Sequence, residues 1–190
     1  MADDKPQIAN AMLYTDAFEK KVPDGDNRER LVCRSCDYVH YQNPKIIVGS
    51  IVTDPDDRIL MVKRAIEPRY GFWTLPAGFL EEHETAEVGA AREAYEEATA
   101  EIEIERVFAV YSVPHISQIQ IMYKASVSTS VLVSNKIAPG EESLEVSFFS
   151  FDEIPWDDLA FPSVHWALKQ YETVRGKAGY PPFSNPVEGV

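Results

Sequence analysis

Three carboxylates, Glu93, Glu96 and Glu97, stand at i, i+3 and i+4 in the run AREAYEEATA. On an α-helix that spacing projects all three onto one face as near neighbours. Like charges so close repel, so the arrangement makes chemical sense when cations fill it: magnesium takes hard oxygen ligands and keeps water and substrate phosphate in its remaining positions. A solvated acidic face is the commoner origin of a Glu-rich helix and asks for no cation. The residues upstream weigh against that bland origin. Gly78, five residues, Glu84, seven residues, then Arg92-Glu93-x-x-Glu96-Glu97 form a spaced set whose chance occurrence in a chain of this length is on the order of 1 in 10,000 or rarer.

A helix must carry that set, and its composition predicts one. Thr85 precedes Ala86, Ala90, Ala91, Ala94 and Ala98, good helix formers with no proline among them. Ahead of it GFWTLPAGFLEE is broken by Gly71, Pro76 and Gly78 and reads as a strand end and a loop. KIIVGSIVTD and RILMVKR read as two strands joined by the turn Asp54-Pro55-Asp56-Asp57. IEIERVFAVYSV, QIQIMYKASVSTSVLV and LEVSFFSF follow in the strand manner, and Phe161 to Val174 reads as a closing amphipathic helix. The order predicts an α/β fold, a mixed β-sheet with helices on both faces. Residues 1–44 form a small irregular arm, polar and frayed over 1–10 and rich in turn residues after that; 45–176 form the main domain and 177–190 a tail.

Composition narrows the partners. The 190 residues carry a formal net charge of −13, which repels a phosphate backbone and argues against nucleic-acid binding. An acidic chain can still act on a phosphorylated small molecule when divalent cations stand between carboxylates and phosphates. The apolar stretch near residues 46–52 is far short of the roughly 20 residues that span a bilayer, and Asp3 and Asp4 stand where a secretory leader is basic. A soluble, cytoplasmic protein with no membrane partner is expected. Cys33 and Cys36 read as a metal or redox pair.

The spaced set over residues 78–98 resembles the Nudix box, whose loop, helix and loop bind divalent metal and diphosphate. The flanks YQNPKIIVGS, GFWTLPAGFLE, PGEESLE and DEIPWDDLAF resemble one branch of that superfamily, the bacterial and plant plastid pyrophosphatases acting on FAD and ADP-ribose. The resemblance implies a Nudix-type α/β/α sandwich with a ribbon-like arm, and a hydrolase that cuts ADP-ribose, FAD or NADH to AMP plus a phosphorylated product. It implies Mg2+ as cofactor, with Mn2+ as a substitute. Glu93, Glu96 and Glu97 would be the metal carboxylates, the Ala77 carbonyl a further ligand, and Arg92 would orient Glu84 by a charge-assisted hydrogen bond. Glu142 resembles the downstream glutamate that assists as ligand or base, with Glu141 and Glu145 as rivals. Water attacks phosphorus and a carboxylate takes its proton, so no covalent nucleophile is needed.

Trp73, Tyr111, His115 and Gln118 are candidates for the substrate, since an adenine or flavin ring takes an aromatic face and a few polar edges. Two departures from the family stand out. The box normally closes on Gly and an aliphatic residue, where this chain has Thr99 and Ala100; a left-handed cap there resists a β-branched residue. Relatives often carry two cysteine pairs holding zinc, whereas this chain has one, and His40 as third ligand would not complete the usual four. A structural zinc is therefore not expected. Relatives commonly pair into homodimers through arms and sheet edges. The competing reading is a catalytically silent Nudix module that binds such a nucleotide and regulates a partner; the complete acidic set argues against it.

Overall fold

The computed structural model describes residues 16–129, 131 and 137–187. The N-terminal segment expected to be frayed, three C-terminal tail residues and part of the SVSTSVLV run lie outside the described residues. Two compact units divide between Asn43 and Pro44. The first holds a three-stranded antiparallel sheet of β1 (Phe18–Lys21), β2 (Arg30–Cys33) and β3 (Val39–His40). Cys33 and Cys36 are free thiols flanking the β2–β3 turn. The Ser35 hydroxyl, 3.1 Å away, heads the hydrogen bonds that lower the Cys33 thiol to about 7.

The second unit is built on a mixed seven-stranded sheet. Its spine runs β10 (Ser143–Phe149), β5 (Ile59–Arg64), β4 (Lys45–Thr53), β9 (Gln118–Val127), β8 (Ile102–Val113), with β6 (Trp73–Thr74) on β5 and β7 (Ala77–Phe79) on β4. The β4–β5 turn works as its residues dictate: the Asp54 carboxylate accepts from the Asp56 and Arg58 N–H groups at 3.0 and 2.9 Å, and Asp57 takes the left-handed conformation. β4 and β9 run parallel from Lys45–Gln118 to Thr53–Ser126, a pairing that joins segments far apart in the chain.

Helices cover both faces. Helix α1 (Ala86–Ala98) starts at Thr85, whose side chain accepts from the Val88 N–H. It sets Ala90 on Val48 and Tyr123, and Ala98 on Val52 and Ala125. Its alanines bring the helix close to the sheet, and that closeness lets acidic side chains on its edge reach the β7 backbone. Helix α2 (Pro162–Val174) covers the other face. Its Val164, Ala167, Leu168, Tyr171 and Val174 stripe buries against Ile51, Met61, Phe108 and Tyr111. The expected tail is docked: the Phe183 N–H donates to the Phe108 carbonyl at 2.8 Å, and Asn185 exchanges two bonds with the Ser112 backbone. No described helix is long and apolar enough to cross a membrane.

Candidate active site

Arg92 is the hub. Its guanidinium grips Glu84 twice, at 3.1 and 2.8 Å, and donates to Glu93 at 2.7 Å, to Glu96 at 2.9 Å and to the Phe79 carbonyl at 2.9 Å. Glu84 also accepts from the Glu81 N–H at 2.8 Å. One side chain thereby ties the loop after β7 to the helix, a planar fork suited to bidentate pairing. This neighbour holds the Glu84 carboxyl below its usual range. Gly78 completes the approach, because a Cβ there would overlap the Glu93 carboxylate.

Glu97 points inward. It is 7% exposed and accepts from the Ala77 N–H at 3.0 Å, so the amide of Ala77 engages the helix. Burial pushes the Glu97 carboxyl up to about 8; Ala77 and Arg64 pull it down, while Glu93 and Glu142 push it further. Burial likewise raises Glu93, opposed by Arg92 and reinforced by Glu96 and Glu142. Among the described residues no three acidic, histidine or cysteine side chains already converge as metal ligands. The bonds above explain this: Arg92 holds Glu93 and Glu96, and Ala77 holds Glu97.

A raised carboxyl makes the native state bind more protons than the unfolded chain. Glu97 therefore contributes stability that is complete below its ordinary value of 4.5 and lost as pH climbs through about 8. A divalent cation needs the deprotonated carboxylates, so its stabilisation grows across the same window. The melting midpoint of chelator-treated protein is expected to fall between about pH 5 and 8, less steeply in Glu97→Gln, and magnesium to raise it more at the higher pH. Equal slopes in both proteins would remove Glu97 as the source.

Glu142 is exposed, and its charge adds a little to the raising of both Glu93 and Glu97. Its loop is seated on the end of α1: the Ala138 N–H donates to the Ala98 carbonyl at 3.0 Å, and the Gly140 N–H to the Glu97 carbonyl at 3.1 Å. Of its rivals, Glu145 is paired with Lys63 at 3.5 Å across β10 and β5, and Glu141 is exposed, as Glu142 is. Arg64, which no motif singled out, acts on Glu97 from β5. Opposite it, Ser143 is buried with a hydroxyl that has no hydrogen-bond partner.

The four candidate substrate groups separate. Tyr111 is fully buried, its hydroxyl donating to Gln170 at 2.6 Å, and Trp73 packs edge-on against Phe149 in the same core. Neither ring presents an open face to a nucleotide. His115 lies exposed on the turn after β8, and Gln118 opens β9 beside Lys45.

The family described as NUDIX domain matches residues 43–171, and the one described as Nudix N-terminal matches 15–42. The ADP-ribose pyrophosphatase of Methanocaldococcus jannaschii is 31% identical over 130 residues, 65% of this chain and 71% of that protein. A NUDIX hydrolase crystal structure from Nitrosomonas europaea superposes with a TM-score of 0.79 at 44% identity, covering 88% of this chain and 93% of the other. An ADP-ribose pyrophosphatase structure from Streptococcus suis shares the fold, with a TM-score of 0.60 at 19% identity, covering 75% of this chain and 100% of that one. The chain belongs to the Nudix family. It is a hydrolase of phosphorus anhydrides, in a family that generally uses a divalent metal.

Proposed function

We propose that this enzyme cleaves the pyrophosphate bond of adenine-containing nucleoside diphosphate derivatives, of the ADP-ribose, FAD or NADH class, to AMP plus the other phosphorylated half. The observation that carries the reading is the edge of α1 itself: Arg92 locks the loop after β7 to the helix, buried Glu97 accepts from the Ala77 N–H, and the loop that carries Glu142 is seated on the helix end. The name of the 31% identical relative supports ADP-ribose within that class.

The donor set fits magnesium, with manganese as substitute. Two carboxyls raised by burial and by neighbouring glutamates, Glu96 and Glu142 on Glu93 and Glu93 and Glu142 on Glu97, gain from a hard divalent cation. Glu93, Glu96 and Glu97 would hold the ion, with the Ala77 carbonyl as a further ligand. When bound, it neutralises diphosphate charge and makes water easier to deprotonate. Arg92 and Glu84 keep the loop and helix in register, which fixes where the phosphates lie against the carboxylates. Glu142, outside the Arg92 network, would accept the attacking water's proton. The net charge of −13 suits a small nucleotide rather than a nucleic acid as partner.

The test is incubation of FAD, ADP-ribose, NADH, NAD and CoA with the protein and magnesium, followed by product separation. AMP from an adenine dinucleotide or from ADP-ribose is expected. A folded protein that binds one of these without cleaving it would favour the silent module instead.

A further inference from the structure

Thr99 and Gly140 stand outside the carboxylate cluster, yet both bear on where Glu142 sits. Thr99 caps α1 in the left-handed conformation, at φ 53 and ψ 26, which a β-branched residue resists. Its hydroxyl donates to the Ala138 carbonyl at 3.1 Å. Two residues on, Gly140 lies so close to the helix end that a Cβ there would overlap the Glu96 carbonyl oxygen. That neighbour is backbone and cannot rotate away. We propose that Thr99 and Gly140 form a clasp that positions Glu142 for the hydrolytic step, an inference that rests on the pyrophosphatase reading above.

The loop is pinned at each end of a short span. Ala138 is bonded to α1 by its N–H and, through Thr99, by its carbonyl; Gly140 is bonded to Glu97; the Ser143 N–H donates to the Gly140 carbonyl at 3.1 Å; and the Ala65 N–H donates to the Glu142 carbonyl at 2.8 Å. One residue separates Gly140 from Glu142, so a shift of the glycine moves the backbone that carries the carboxylate. Misplacement by about 1 Å can cost on the order of 100-fold in rate. The clasp also gives Thr99 a reason to stand where a glycine would be easier: glycine supplies the backbone angle but no hydroxyl. Position 99 thus touches no phosphate or metal donor and acts only by holding the loop.

Turnover of ADP-ribose with magnesium tests this in a cycle. Gly140→Ala, Thr99→Gly and Thr99→Ser are made in the wild-type chain and in Glu142→Gln, and kcat, KM and melting midpoint are measured. In the wild-type chain Gly140→Ala is expected to lower kcat at least tenfold with KM within twofold. Thr99→Gly is expected to lower kcat about threefold, and Thr99→Ser to restore it. In the Glu142→Gln background the same changes are expected to alter kcat less than twofold, which a merely structural role would not produce. Should Gly140→Ala fail to fold, Thr99→Gly, which relaxes the cap, carries the cycle alone. Full effects persisting in Glu142→Gln, or wild-type turnover from folded Gly140→Ala and Thr99→Gly, would overturn the clasp while leaving the pyrophosphatase reading intact. No AMP from the wild-type protein would overturn both.

Discussion

Glu97→Gln is expected to lower turnover at least 100-fold while the chain remains folded. The substitution keeps shape and an acceptor for the Ala77 N–H, 3.0 Å from the present carboxylate, but removes a charge from the place where a divalent cation and a diphosphate would be balanced. Electrostatic preorganisation at such sites supplies the largest share of rate enhancement, and a 100-fold loss corresponds to about 2.7 kcal/mol of barrier. Because burial already penalises the ionised form, the metal-free variant should be no less stable than its parent. Circular dichroism separates the two effects. A folded variant with near wild-type turnover would show that the helix carboxylates do not carry the reaction.

Arg92→Ala is expected to destabilise the fold strongly. It strips Glu84, Glu93, Glu96 and the Phe79 carbonyl of one shared donor, and it leaves Glu93, 8% exposed, without its counter-charge. Removing one partner of a buried charged pair costs about 3 kcal/mol or more, which in a domain of this size lowers the melting midpoint by roughly 10 °C. Adding Glu84→Gln should then cost less than it does alone, since its partner is already gone. Unchanged denaturant midpoints, or strictly additive effects, would contradict the hub role of Arg92.

How far the residues foretell this arrangement depends on how local the cause is. Helix α1 runs from Ala86 to Ala98, as the Thr85 cap and the alanine run predict, and Phe161 to Val174 folds as helix α2 with Phe161 as its cap. The Asp54 turn and the mixed sheet between helices likewise follow from period and turn chemistry. Which carboxylates share a helix edge is set by spacing alone. What faces them is not: Arg64 and Glu142 come from strand and loop positions whose approach depends on β5 and β10 pairing, and no sequence period encodes that. Trp73 and Tyr111 show the same limit from the other direction, because an aromatic type is equally at home in a core and in a pocket, and here both rings are buried. Thr99 was legible as a departure from the family's glycine, but its bond to Ala138 spans 39 residues and could be found only in three dimensions.

A divalent cation and the α1 carboxylates are expected to act together in splitting a nucleoside diphosphate derivative. This is tested most directly by following ADP-ribose over a magnesium titration that begins from chelator-treated protein. No turnover is expected in chelator, with saturable turnover as magnesium is added, and AMP and ribose 5-phosphate released in equal amounts. AMP formed at the same rate in excess chelator, or no AMP at any magnesium concentration from folded protein, would contradict it.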